Sequence, residues 1–372
     1  MGTVLLTATA VLGACGSSAP GAVSTGSVGG ATISLDASST QSPAAYLRTV
    51  EGVPKKIPIT EPLKTAPPKG KTFVFLQCDI AQCTQESTAL KAVTAAIGWK
   101  LKTIPYQSAN PASLIAGLQQ ALQYKPAGVG LSGVPEIEWK SVLPAYKSAG
   151  VPIVVAYVGP QPLTKTIIAN VGSAQSVAVE AHAVADYFIV KSGGKGHILQ
   201  FQVPDYPILA TFDTSFRQYV KAGCSGCSVT QLNGTVAEAD GGTTVPAIVS
   251  ALQRNPQDTW VVTDDGPWVD GLPAAASAAG LHPKIIGEGG DVTDETDIQA
   301  GTMTAFTALA LNYGQWAMVD AVLRHMEGMA IPSNEGVLPT QLLVKGESFA
   351  VSESYDEPSN YSSLMEKLWH VG

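Results

Sequence analysis

A β-branched run, a short loop and an amphipathic helix follow one another repeatedly along this chain, and that alternation confines it to parallel sheets covered by helices. The first series reads as strands at 72–76, 101–105, 129–131 and 151–158, with helices ending near 97, following the Asn110-Pro111 cap, and spanning 135–148. The stretch 151–158 is apolar throughout, as a strand covered on both faces is. A second series repeats the pattern, with strands at 197–203, 229–236, 259–263 and 284–287 and helices at 212–222, after Thr244, and at 269–279. Between the series lies 167–191, a short apolar strand, a Gly172-Ser173 turn and an alanine-rich helix, which reads as a bridge between two α/β lobes. A β-rich run at 302–309 is expected to cross back. The helix after it, marked by Trp316, Val319, Leu323 and Met326, has no partner strand of its own, and 342–345 makes the last crossing.

Ligand sites in open parallel sheets lie beyond the carboxyl ends of the strands. Here those ends are the loops beginning at Gln77, Ser132, Tyr157, Pro204, Asp264 and Glu288. The net charge of -8, with no basic block, argues against nucleic acid and for a small ligand.

The N-terminus carries its own signals. Residues 4–12 form an apolar run too short to span a bilayer and suited to the core of a signal peptide. It ends at Leu12-Gly13-Ala14-Cys15, which is similar to a bacterial lipobox with Cys15 as the lipidated residue. The nearly uncharged stretch that follows, and then Pro54, Pro58, Pro62, Pro67 and Pro68 interleaved with lysines, read as a flexible and then extended tether over 16–70. The remaining cysteines, Cys78, Cys83, Cys224 and Cys227, allow three connectivities; local pairing within each close couple is the expectation for an exported chain.

The run 168–175, the glycine turn at 193–196 and Thr263-Asp264-Asp265 at a strand end resemble the ribose-binding branch of the type I periplasmic binding proteins. The resemblance covers about 71–349 and implies two open parallel-sheet, Rossmann-like lobes joined by a multi-strand hinge. It implies a first lobe of 71–171 plus about 308–338, a second lobe of 172–307 plus about 339–357, and a tail at 358–372. It also implies capture of a small molecule between the lobes and delivery to an ABC permease, by a monomer held outside the cytoplasm on a lipid anchor. The chain departs from that family in its site residues. Cys78-Asp79-Ile80-Ala81-Gln82-Cys83 stands where an aromatic-rich loop is usual, Ala156-Tyr157 where an Asp-Arg pair is usual, and Phe212 near the place of a sugar-binding arginine.

What remains near the strand ends is acidic and aromatic: Asp79, Asp205, Asp264 and Glu288, with Tyr157, Tyr206, Phe212, Trp268 and Trp316, and Asn312 just after the crossing strand. Carboxylates accept from hydroxyls or amines and repel anions, so the expected ligand is a neutral or cationic carbohydrate or polyol derivative, with a small aromatic compound as the alternative. A sensory binding protein docking on a receptor is the alternative role. No catalytic constellation is expected: the histidines form no paired metal spacing, Gly-x-Ser-x-Gly is absent, and Gly194-Lys195 lacks the Ser or Thr of a phosphate loop. The run Asp291-Val292-Thr293-Asp294-Glu295 lacks the glycine and terminal glutamate of a linear calcium loop and reads as a solvated acidic turn; no metal or cofactor is expected.

Overall fold

The computed structural model describes residues 41–371 apart from 348 and 353, together with the backbone of two short antiparallel strands, β1 (Gly26–Val28) and β2 (Ala31–Ile33). Cys15, the expected signal peptide and most of the expected tether lie outside the described residues. A first helix, α1 (Pro43–Val50), leads into the two lobes.

The first lobe is built from β3 (Thr72–Gln77), α2 (Ala81–Ala96), β4 (Lys100–Pro105), α3 (Pro111–Ala121), β5 (Gly128–Ser132), α4 (Leu143–Ala149), β6 (Ile153–Ala156) and β7 (Ile167–Val171). Its five strands are all parallel, in the order β4-β3-β5-β6-β7. Alternation along the strands feeds two cores. Phe73, Phe75 and Val154 pack on one face of the sheet, and Val74, Leu76, Val129 and Leu131 on the other. The expected helix at 135–148 is broken, because Pro144 belongs in a first turn: two 3-10 turns, Glu136–Glu138 and Lys140–Val142, precede the short α4.

The second lobe follows with α5 (Ala174–Lys191), β8 (His197–Gln202), α6 (Leu209–Gly223), β9 (Ser228–Asn233), α7 (Val236–Asp240), α8 (Thr244–Arg254), β10 (Trp260–Thr263), α9 (Leu272–Ala278), β11 (Lys284–Gly290), α10 (Val292–Ala300) and β12 (Ala305–Ala308). The chain then enters α11 (Leu311–Met326), which packs on the first lobe, and returns as β13 (Leu342–Val344) before a last helix, α12 (Tyr361–Leu368). The second sheet has the order β13-β12-β11-β10-β8-β9, parallel except for β13, which runs antiparallel to β12. The bridging strand 167–171 is the edge of the first sheet, and the connection to the second lobe is made at Gly172-Ser173. The run at 302–309 stays in the second sheet and the crossing comes just after it. Three crossings lie side by side, tied by Ser173 N–H to Gly336 O and Leu338 N–H to Ser176 Oγ, each 3.0 Å.

Three expectations are corrected. The proline-rich segment is extended but is no stalk: Ile57, Ile59 and Leu63 alternate with its prolines and bury in the first-lobe core, while α1 buries Leu47 and Val50 against the second lobe. The expected tail is packed, with Met365 and Trp369 completing the first-lobe core. Asp291 is no solvated turn but the cap of α10, closed by a reciprocal capping box with Asp294. The local cysteine pairs are disulfides, Cys78–Cys83 with Cα atoms 5.5 Å apart and Cys224–Cys227 at 5.4 Å.

Candidate functional site between the lobes

The carboxyl ends of β5, β6, β8, β10 and β11 meet where the lobes face one another, and carboxyl groups gather there from helices as well as from strands. Glu86, on α2 of the first lobe, is fully buried; its Oε2 accepts from Ser132 Oγ at the end of β5 (2.7 Å), while Oε1 has no partner. Burial, only partly offset by Ser132 and Gln82, pushes its carboxyl up to about 7. Glu180, on α5, accepts from Ser176 Oγ and Thr307 Oγ1, both at 3.4 Å, and is hydrogen-bonded to Glu288 of β11. Burial holds Glu180 above the usual carboxylate range against the lowering effect of its hydrogen bonds to Thr307, Glu288 and Ser176, while burial first and the Glu180 charge next hold Glu288 well above that range.

A second pair lies beyond Glu288. Asp264, at the end of β10, accepts from Val203 N–H through Oδ2 (3.1 Å) and leaves Oδ1 unpartnered. Asp213, on α6, is bonded to Asp264 and takes a hydrogen bond from Gln200 Nε2 (2.8 Å); burial first, and the Asp264 charge next, raise its carboxyl strongly. The same helix does present an arginine, contrary to the sequence reading. Arg217 lies one turn past Asp213 and donates through Nη1 to Gln202 Oε1 (2.6 Å) and Gln200 Oε1 (3.0 Å). Tyr157 joins the carboxyls of the two lobes: its buried hydroxyl has no partner, and burial followed by the charges of Glu86 and Glu180 pushes it well above its ordinary value. Its backbone is left-handed, at φ 54°, and its ring lies where any side chain on Gly172 would be.

A cavity of about 840 Å³ opens between the lobes beside this group. Its first-lobe wall includes Gln82, Gln85 and Ala89 of α2; its second-lobe wall includes Asp265, Gly289 and Asp291, neighbours in sequence of Asp264 and Glu288. Asn312, Trp316, Tyr355 and Tyr361 close it at the hinge, giving the apolar face that a ring or polyol C–H surface would meet.

The predicted residues divide accordingly. Asp264, Glu288 and Tyr157 belong to the buried polar group, and Asn312 and Trp316 line the cavity. Asp79 does not reach it: the carboxyl is exposed and takes hydrogen bonds from Ser108 Oγ (2.7 Å) and N–H (3.1 Å), which hold it below the usual range. Asp205 is exposed, and Tyr206 and Trp268 pack on each other with centroids 5.9 Å apart, Trp268 also meeting Phe201 edge-on. Phe212 is wholly in the core against Phe216, because the helical turn that directs Asp213 to the strand ends directs its neighbour inward.

Sequence reasoning missed Glu86, Glu180, Asp213 and Arg217. The signal was a carboxylate inside an apolar stripe: Glu86 shares one helix face with Cys83, Leu90 and Val93, and Glu180 one with Val177, Ala181 and Val184. A charge at such a position needs a polar destination.

Comparison with known proteins agrees with this architecture. Residues 73–329 match the family model described as the periplasmic binding protein domain. None of the curated proteins matches the chain in sequence. Among solved structures, the sugar-binding protein of a sugar ABC transporter from Bacillus halodurans is 13% identical, with a TM-score of 0.64, over 74% of this chain and 97% of that one. The arabinose-binding protein from Shewanella sp. ANA-3, bound to arabinofuranose, is 18% identical (TM-score 0.60; 80% and 95% covered). A ribose ABC transporter protein from Conexibacter woesei DSM 14684 is 16% identical (TM-score 0.62; 74% and 93% covered). At these identities the structures speak for the fold, and the family model for descent: the chain belongs to the periplasmic binding protein domain family, in its type I two-lobed form.

Proposed function

We propose that this protein is an extracytoplasmic solute-binding protein that closes its lobes on a neutral or cationic carbohydrate or polyol derivative and delivers it to the permease of an ABC importer. The observation that carries this reading is the set of buried carboxyls contributed by both lobes, each with one oxygen lacking a partner: Glu86 from one side and Glu288 and Asp264 from the other. Hydroxyls or an amine of a ligand satisfy such oxygens, whereas a phosphate or carboxylate is repelled, since Arg217 is already held by Gln200 and Gln202. The sugars bound by several proteins of the same fold support the carbohydrate class. Contacts to both lobes exist only when the lobes meet, so a ligand of this kind shifts the hinge toward closure.

Calorimetry against sugars, polyols, amino sugars, amino acids and aromatic acids tests the proposal. Tight binding is expected for a polyhydroxylated neutral or amine-bearing compound, weakened by about 1–3 kcal/mol in Asp264→Ala, the scale of a buried hydrogen bond to a charged acceptor. Tight binding of a sugar phosphate or dicarboxylate, unchanged by that substitution, would overturn it. The anchor is tested separately: with Cys15 as the lipidated residue, Cys15→Ala releases the protein from membranes into the medium, and full retention refutes the anchor.

A further inference from the structure

We propose that Asp270, Asp291 and Asp294 bind a divalent cation, calcium in preference to magnesium, on the second lobe at the rim of the inter-lobe cavity. One carboxylate oxygen from each lies within 4.8 Å of the others. That is the reach of a single cation with oxygen ligands at about 2.4 Å, since two ligands on opposite sides of it stand about 4.8 Å apart. The three residues are brought together by tertiary structure. Asp270 follows the 3-10 turn Gly266–Val269 after β10, whereas Asp291 and Asp294 cap α10 after β11.

Asp294 supplies an observation independent of the clustering. Its side chain is fully buried, Oδ2 accepts from Asp291 N–H (3.0 Å), and Oδ1 is buried without a partner. It is wedged against Gly266 and Gly290: a Cβ on Gly266 would collide with its carboxylate, and one on Gly290 would lie 3.4 Å from its Cβ. An oxygen fixed in this way cannot turn to solvent, and the neighbouring charges that act on it, those of Asp291, Asp270 and Asp297, have its own sign. A cation answers both conditions at once. The N-terminus of α10 opposes one, but its partial charge of about +0.5 is outweighed by three carboxylates.

The ligand set selects the ion. All donors are hard oxygens, from a loop residue, a helix cap and the first turn of α10; Asp270 is exposed and Asp291 half-buried, so water can complete a coordination shell of six to eight, which suits calcium better than the strict octahedron of magnesium. The linear calcium-loop pattern fails here because the third ligand is distant in sequence. Since Asp291 also lines the cavity, an ion here stiffens the turn between β11 and α10 at the cavity mouth without entering the Glu180–Glu288 pair.

The test uses the mature chain stripped with chelator and reloaded by titration with calcium chloride or magnesium chloride, read by thermal unfolding and calorimetry. One equivalent of calcium is expected to bind and raise the midpoint by mass action, with magnesium weaker. Asp270→Asn, an exposed substitution that leaves the core alone, is expected to weaken calcium by at least about tenfold, as loss of one charged ligand does. Absence of any calcium-dependent shift, or a shift undiminished in both Asp270→Asn and Asp291→Asn, overturns the proposal. Neither outcome depends on the carbohydrate reading, whose readout is the organic ligand.

Discussion

Glu86 shows how a single residue carries both a cost and a use. In the unfolded chain its carboxyl ionises in the ordinary range near 4.5, whereas in the fold burial pushes it to about 7. Between those values the native state binds more protons than the unfolded state, so stability is fully present below about pH 4.5, falls as the pH rises, and levels off above about 7. Glu86→Gln, which retains an oxygen for Ser132, is expected to flatten this dependence and to gain about 1–3 kcal/mol on the parent between pH 5 and pH 8 in the absence of ligand. Urea unfolding at the two pH values measures it, and an unchanged slope refutes the assignment. A stabilised but ligand-blind variant would identify the buried carboxyl as retained for binding. Asp264 and Glu288 were legible in the sequence because they end strands; Glu86, Glu180 and Asp213 were not, because a helical residue's destination depends on which face its neighbours bury.

Among elements, the segment from α1 to β3 departs most from its sequence signature. Prolines and lysines at 54–69 describe chain that cannot be helical, and it is not, but extended chain can still pack. Ile57, Ile59 and Leu63 all point into the first-lobe core, and Ile59 is 1% exposed there. Its backbone is tied as well: Leu63 N–H donates to Leu368 O (2.9 Å), and Lys64 and Thr65 N–H donate to Glu327 at 2.7 and 2.9 Å. Ile59→Ala is expected to cost about 2–5 kcal/mol, as large-to-small core substitutions do, whereas a free stalk would tolerate it silently. Chemical unfolding distinguishes the two, and a change under about 0.5 kcal/mol, the range of surface substitutions, would restore the stalk.

At the scale of the molecule, the buried carboxyls of the proposed site are drawn from both lobes. Neither lobe alone holds a complete polar site: Glu86 and Ser132 belong to the first, Glu288, Asp264 and Asp213 to the second, and Tyr157 and Glu180 stand at the crossing between them. The three crossings confine relative motion to a hinge, while α1 on the second lobe and 57–63 on the first lay a fourth connection across it. On the first lobe, Arg324 of α11 gathers Asp320, Glu335 and Glu61, and Asp320 takes the Trp369 indole N–H, so the C-terminal helix is held by a buried charged group as well as by apolar packing.

The period of the apolar residues, two along strands and 3.6 along helices, is a local property, and the sequence by itself determined from it the two largely parallel sheets, their covering helices, the crossing near Gly172-Ser173 and where the strands end. Cysteine spacing permitted two local disulfides without excluding the other connectivities, and the structure pairs Cys78 with Cys83 and Cys224 with Cys227. Tertiary structure alone decided which charges meet. Asp270 reaches Asp291 and Asp294 only because β10 and β11 are parallel neighbours whose carboxyl ends open on the same side, and Glu86 nears Tyr157 only because α2 and β6 belong to one closed core. Contacts of that kind follow from strand order and helix rotation, which are set by the packing of the whole lobe and leave no periodic trace in the residues themselves.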